Sequence, residues 1–153
     1  MNQIEQMYSL QRQLNDDTNG TIWLTGVTRE NRSISWYRGI YMEVAEAIDS
    51  FNWKHWKNID DEPDWDNIRV ELVDIWHFLM SESIRIGDES YANKFLDMKP
   101  KGDFDSVALV SLLEEMLIRF FNTPAAAGVK SLDNNDVLPS SKVSLSLYSS
   151  IEG

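Results

Sequence analysis

The chain has no cysteine. That removes disulfides, thiolate metal sites and a thiol nucleophile from its chemistry, and it suits a reducing compartment. Positive charge is scarce as well: 14 Lys plus Arg stand against 25 Asp plus Glu, for a net charge of -11. Binding to a nucleic-acid polymer rests on neutralising phosphates with basic side chains, so this balance argues against such a partner. A single nucleotide reached through a bridging metal stays compatible with it. No stretch approaches the roughly 18 apolar residues of a membrane span. The opening "MNQIEQMYSLQRQLND" lacks the basic and apolar regions of a signal peptide. A soluble, cytoplasmic protein is expected, without a membrane partner. There is no repeat of fixed period. The length of 153 residues suits one domain able to bury roughly two-thirds of its unfolded surface.

What is present is helical periodicity. Ile4, Met7, Tyr8, Leu10 and Leu14 recur at helical spacing over residues 3–15, and "NDDTNG" then supplies turn formers. "TIWLTGVTRENRS" reads as a loop around Trp23. Ser33 or Ser35 is placed to cap a second helix that runs to about Phe51, with Ile40, Val44, Ala47, Ile48 and Phe51 as its core stripe. A third helix starts between Pro63 and Asp66 and ends at Ile86, before Gly87. A short helix covers Glu89 to Leu96. A last one, Ser106 to Phe121, puts Val107, Val110, Leu113, Leu117 and Phe120 or Phe121 on one face. The expected fold is all-α, a bundle of four to five helices over residues 1–123. Residues 124–153 read as a tail: seven of the last 23 residues are Ser, and only "KVSLSLY" alternates as a strand would.

Glu43 and Glu46 lie one turn apart on the second helix, about 60° apart in projection, so both can reach one point in space. An isolated pair of this kind is ordinarily a solvated face. Glu71 and Asp74 repeat the spacing inside "VELVDIWHFLM", a segment apolar nearly all round. Such a helix should be buried, and a buried carboxylate needs a compensating charge. Arg69, Arg85, Lys54 or Lys57 could supply it by salt bridges. Alternatively, the second and third helices pack antiparallel and the four carboxylates meet, which requires cations. Oxygen-only ligation selects Mg²⁺, with Mn²⁺ able to substitute, over Zn²⁺. A di-iron site would need more histidine than His77 provides, and His77 fits a satisfied core residue better.

Just beyond, "FNWKHWK" gathers Trp53, Lys54, His55, Trp56 and Lys57. Aromatic faces stack bases and ammonium groups meet phosphates, although the same residues could cap a helix C-terminus and plug the core. Gln11 and Asn15, on one face of helix one, offer amides for a base edge.

"LQRQLNDDTNG", "SWYRGIYMEVAEAIDSFNWKHWKN" and "NIRVELVDIWHFLMS", in this order and spacing, closely resemble the all-α dimeric dUTPase family, a relative of the MazG-like pyrophosphohydrolases. The resemblance covers residues 8 to about 81. It implies that Glu43, Glu46, Glu71 and Asp74 hold Mg²⁺ and that Glu46 orients or deprotonates the attacking water. It further implies that Gln11 and Asn15 contact deoxyuridine and that His55, with Trp53 and Lys54 around it, closes the base pocket. Lys54 and Lys57 are placed to meet phosphates. The implied reaction takes dUTP and water to dUMP and pyrophosphate, with dUDP also accepted, in a homodimer. The family's later segment, rich in Asn, Gly, Lys, Arg and aromatics, has no counterpart after Thr123: either the chain is truncated or diverged there, or another surface or a partner subunit is expected to supply its cations. The same site on another deoxynucleotide such as dCTP, or a catalytically weak nucleotide- or partner-binding remnant, are the alternative expectations.

Overall fold

A computed structural model describes residues 1–98 and 105–122. The tail and its "KVSLSLY" segment lie outside the described residues. Five helices follow in order: α1 Gln3–Asn19, α2 Trp36–Asp49, α3 Trp65–Ile86, α4 Ser90–Leu96 and α5 Ser106–Phe121. A short 3-10 turn, Thr21–Thr25, follows α1 and buries Trp23 completely. Among the described residues there is no strand, only an isolated antiparallel bridge between Val27 and Ser33.

Local chemistry sets the helix ends. Asn2 and Glu5 form a reciprocal capping box on α1. The Ser35 hydroxyl accepts the Arg38 backbone N–H at 3.1 Å, and the Asp64 carboxylate accepts that of Asn67 at 3.0 Å. Each such cap is worth about 1 kcal/mol relative to alanine. Gly87 closes α3 at φ 72°, a left-handed conformation that glycine adopts without strain, and donates to the Ser83 and Ile84 carbonyls.

The centre of the fold is an antiparallel pair, α2 against α3. Trp36 packs on Phe78, Glu43 lies beside Glu71, and Phe51 meets Trp65 edge-on at 5.8 Å. The Asp64 N–H bonds the Ser50 carbonyl at 2.9 Å and fastens the connection between the two helices. Gly39 permits the close approach, since a Cβ there would stand 2.9 Å from the Phe78 ring. The core joins Ile40, Val44 and Ala47 of α2, with Phe51 just past its end, to Ile68, Ile75 and Leu79 of α3. Burying a large aliphatic side chain contributes roughly 1.5–3 kcal/mol. The buried stripe of α3 is Ile68, Glu71, Ile75 and Leu79, so Glu71 occupies a position where the pattern calls for an aliphatic residue.

Three expectations about faces are corrected. Helix α1 turns Tyr8, Gln11 and Asn15 inward and leaves Met7, Leu10 and Leu14 about half exposed. Of the apolar residues that periodicity marked, Tyr8 is buried and meets Trp76 of α3 edge-on at 6.4 Å, while Met7, Leu10 and Leu14 turn away. Helix α3 is not buried all round: Val70, Leu72 and Val73 are exposed. In α5 the buried residues among those whose side chains are described are Leu113, Met116 and Phe120, whereas Val107 is 74 % exposed. Phe120 fixes that rotation by packing among Tyr37, Tyr91 and Phe95.

Candidate active site

The antiparallel register of α2 and α3 brings Glu43, Glu46 and Glu71 together. One carboxylate oxygen from each lies within 4.8 Å of the others. Glu71 is 6 % exposed, Glu43 is half-buried and Glu46 is exposed, so the group runs from the core outward to solvent. Asp74, one turn further along α3, is half-buried and stands outside that triad.

No salt bridge neutralises the group among the described residues. Arg69 pairs with Asp66, Arg85 with Glu82, and Lys54 with Asp49, while Lys57 is exposed. Burial pushes the Glu43 carboxyl up to about 7, helped by a hydrogen bond to Glu71 and by the charges of Glu71, Glu46 and Asp74. A buried glutamate met by two more carboxylates, with no ion-paired cation among the described residues, offers donors that suit a divalent cation. The set is all oxygen, as a hard ion prefers, and spans two packed helices.

An open depression lined by Ala45, Glu46, Asp49, Ser50 and Asn67 adjoins the solvent end of the triad. Beyond it residues 52–57 stay at or near the surface. Trp53 is 46 % and Trp56 63 % exposed, so neither plugs the core. They meet edge-on at 5.7 Å, His55 packs against Trp56, and the Lys54 ammonium sits 5.3 Å from the Trp53 ring centre. Asp49 tethers this segment, accepting from Trp53 Nε1 at 3.2 Å and pairing with Lys54 at 3.9 Å.

Gln11 and Asn15 are not surface amides. They are 5 % and 4 % exposed and form a network with α3. Gln11 Nε2 donates to Asn15 Oδ1 and to Ser81 Oγ, both at 3.1 Å, and Asn15 Nδ2 donates to Ser81 Oγ at 3.0 Å. The Ser81 hydroxyl donates to the His77 carbonyl at 2.8 Å, and His77 Nδ1 is bonded to Gln11 Oε1. His77 is therefore a satisfied, half-buried residue apart from the carboxylate triad.

Sequence reasoning missed Ser81, and it also missed Glu82, a glutamate 4 % exposed. The available signal was the polar run "SES", residues 81–83, in the middle of an otherwise apolar helix.

A family model described as dUTPase matches residues 3–135, wider than the stretch that carries the resemblance. The chain belongs to the all-α dUTPase family. Membership makes dUTP hydrolysis its broad activity and a nucleotide its substrate class. No curated protein matches the chain. The five helices and the meeting of three carboxylates agree with this family's all-α architecture. No helix among the described residues is long and apolar enough to cross a membrane.

Proposed function

We propose that the chain is a Mg²⁺-dependent dUTP diphosphatase that also takes dUDP, with residues 1–123 as its catalytic domain. The observation that carries this reading is the buried Glu71, which meets Glu43 and Glu46 with no ion-paired cation among the described residues. Glu43, Glu46 and Glu71 would hold the ion, with Asp74 as the fourth ligand from the next turn of α3; Mn²⁺ satisfies the same donors. When bound, Mg²⁺ supplies Lewis acidity for water and charge neutralisation for phosphates.

The remaining work falls to side chains. Glu46 is the exposed member of the triad, at the edge of the depression, where a water can reach it; it accepts the proton of that water as the oxygen attacks phosphorus. The bond between the α-phosphate and the rest of the chain breaks, and pyrophosphate leaves from dUTP. Lys54 and Lys57 meet phosphates, and Trp53 with His55 closes on the base. Gln11 and Asn15 read its polar edge. The exposed Met7, Leu10 and Leu14 of α1 and Val70, Leu72 and Val73 of α3 favour a homodimer, since apolar side chains concentrated on two helices seek cover. The cysteine-free chain and its nucleotide substrate favour a cytoplasmic location.

The test is pyrophosphate or phosphate release from dUTP, dUDP, dCTP and dTTP, with and without Mg²⁺. Selective, metal-dependent turnover of the uracil nucleotides is expected. Turnover that favours dCTP would move the same chemistry to another base. Tight dUTP binding without release would leave only a binding protein.

A further inference from the structure

We infer that Ser81 is the residue that sets base specificity, by fixing the polarity of the two amides that read the base; this rests on the role proposed above for Gln11 and Asn15. A serine hydroxyl has one proton and two lone pairs. The Ser81 proton goes to the His77 carbonyl, one turn back on α3, and its lone pairs accept Gln11 Nε2 and Asn15 Nδ2. Its capacity is used in full, and Ser81 is 0 % exposed, so water cannot take over any of these bonds.

The consequence runs outward through the amides. Both protons of Gln11 Nε2 are committed, to Asn15 and to Ser81, and its oxygen faces His77 Nδ1. Turning the Gln11 amide over would set its oxygen against the oxygens of Ser81 and Asn15. Turning Asn15 over would set its NH₂ against that of Gln11. One N–H and one lone pair of Asn15, and the second lone pair of Gln11 Oε1, stay unspent, and the direction in which each points is dictated by Ser81. That direction matters for the choice between pyrimidines. Uracil carries an accepting oxygen at the position where cytosine carries a donating amino group, so an amide free to turn over serves both bases and a locked one serves a single base. Ser81 touches no substrate in this scheme. It is a positioning residue.

Three variants test the idea. Ser81→Ala removes the acceptor, Ser81→Cys keeps the volume but offers only a weak one, and Ser81→Thr keeps the hydroxyl. Thermal denaturation of each shows which are folded, and the cysteine variant carries the test if the alanine variant is not. For the folded variants, kcat and KM are measured on dUTP and dCTP with saturating Mg²⁺. The alanine and cysteine variants are expected to raise KM for dUTP about tenfold, with kcat within about twofold of the parent. The dUTP over dCTP preference should fall by at least about tenfold and return in Ser81→Thr. Unchanged preference in the alanine or cysteine variant would overturn this inference alone, as would an equal loss of kcat on both nucleotides, which marks a general packing defect. A parent chain that hydrolyses neither nucleotide would overturn the proposed function, and this inference with it.

Discussion

Helix α3 buries two glutamates to nearly the same depth, and they are treated in opposite ways. Glu82, 4 % exposed, takes a two-pronged bond from Arg85, at 2.7 Å from Nε and 2.6 Å from Nη2. The pair holds the guanidinium more firmly protonated, with desolvation opposing that trend in part. Glu71, 6 % exposed, is met instead by further carboxylates. A buried anion matched by its own cation is a closed structural unit. A buried anion surrounded by more anions is an open one, with no ion-paired cation among the described residues to close it. Burial alone would have ranked the two sites together; the sign of the neighbours separates them.

The comparison can be broken most sharply at the chemistry. Glu46→Gln keeps the size of the side chain but cannot accept a proton. We expect kcat to fall by about 10²–10⁴-fold, the usual worth of a general base, while the denaturation midpoint of the metal-free protein holds or rises. Full turnover in this variant would falsify the role given to Glu46. Arg85→Met should do the reverse. It strands Glu82 without its partner and should cost about 3 kcal/mol in urea denaturation, at the low end of the range for broken buried pairs because Arg85 is partly exposed. Activity per folded molecule should stay near that of the parent; if it falls in parallel with Glu46→Gln, the two glutamates are not separate units.

A smaller effect is expected from Glu71→Gln without metal. Removing one anion from the cluster should stabilise the apo protein, by about 1 kcal/mol, and at the same time abolish any rise in melting temperature on adding Mg²⁺. A loss of stability in the apo form would show that Glu71 has a hidden cationic partner. The smallest effect is a pH dependence. Glu43 has a folded-state pKa of about 7 against an ordinary value of 4.5, so the folded state binds more protons between those limits. Its contribution to stability is full below the ordinary value and is lost as pH rises through about 7. The metal-free protein should therefore melt higher at about pH 5.5 than at about pH 8.5, and Glu43→Gln should flatten that difference.

Much of this was legible before any coordinates. Ser35, one of two serines placed to cap α2, and Gly87 mark helix ends because capping is a contact between near neighbours in the chain, and the Asp64 cap falls inside the span from Pro63 to Asp66 expected for the start of α3. The meeting of Glu43, Glu46 and Glu71 was legible for a different reason. Carboxylates on an apolar third helix pointed either to salt bridges or to four acidic groups meeting between antiparallel helices, and the packing of α2 on α3 brings three of those four together. What could not be read depends on which faces oppose each other. Ser81 meets Asn15 across 66 positions of sequence, and nothing in either segment names the other. The orientation of α1 failed for the same reason. An apolar stripe shows that a face will be covered, not whether the cover lies within the protomer.

That orientation has a kinetic side. Helix α1 is held to the bundle by Tyr8, whose hydroxyl donates to the Glu89 carbonyl at 2.9 Å and whose ring meets Trp76 edge-on, by Asp16, which accepts from Trp23 Nε1 at 2.7 Å, and by the amide network, with Tyr8 as its one fully buried hydrophobic residue. Directional bonds of this kind lose most of their strength after a small displacement, whereas the packing of α2 on α3 does not. In hydrogen exchange α1 should open before the pair that carries the carboxylates, as a separate cooperative unit. The residues proposed to read the base would then belong to an element that docks and undocks, while those proposed to cut the phosphate chain stay fixed, so base recognition and metal binding can be lost one without the other.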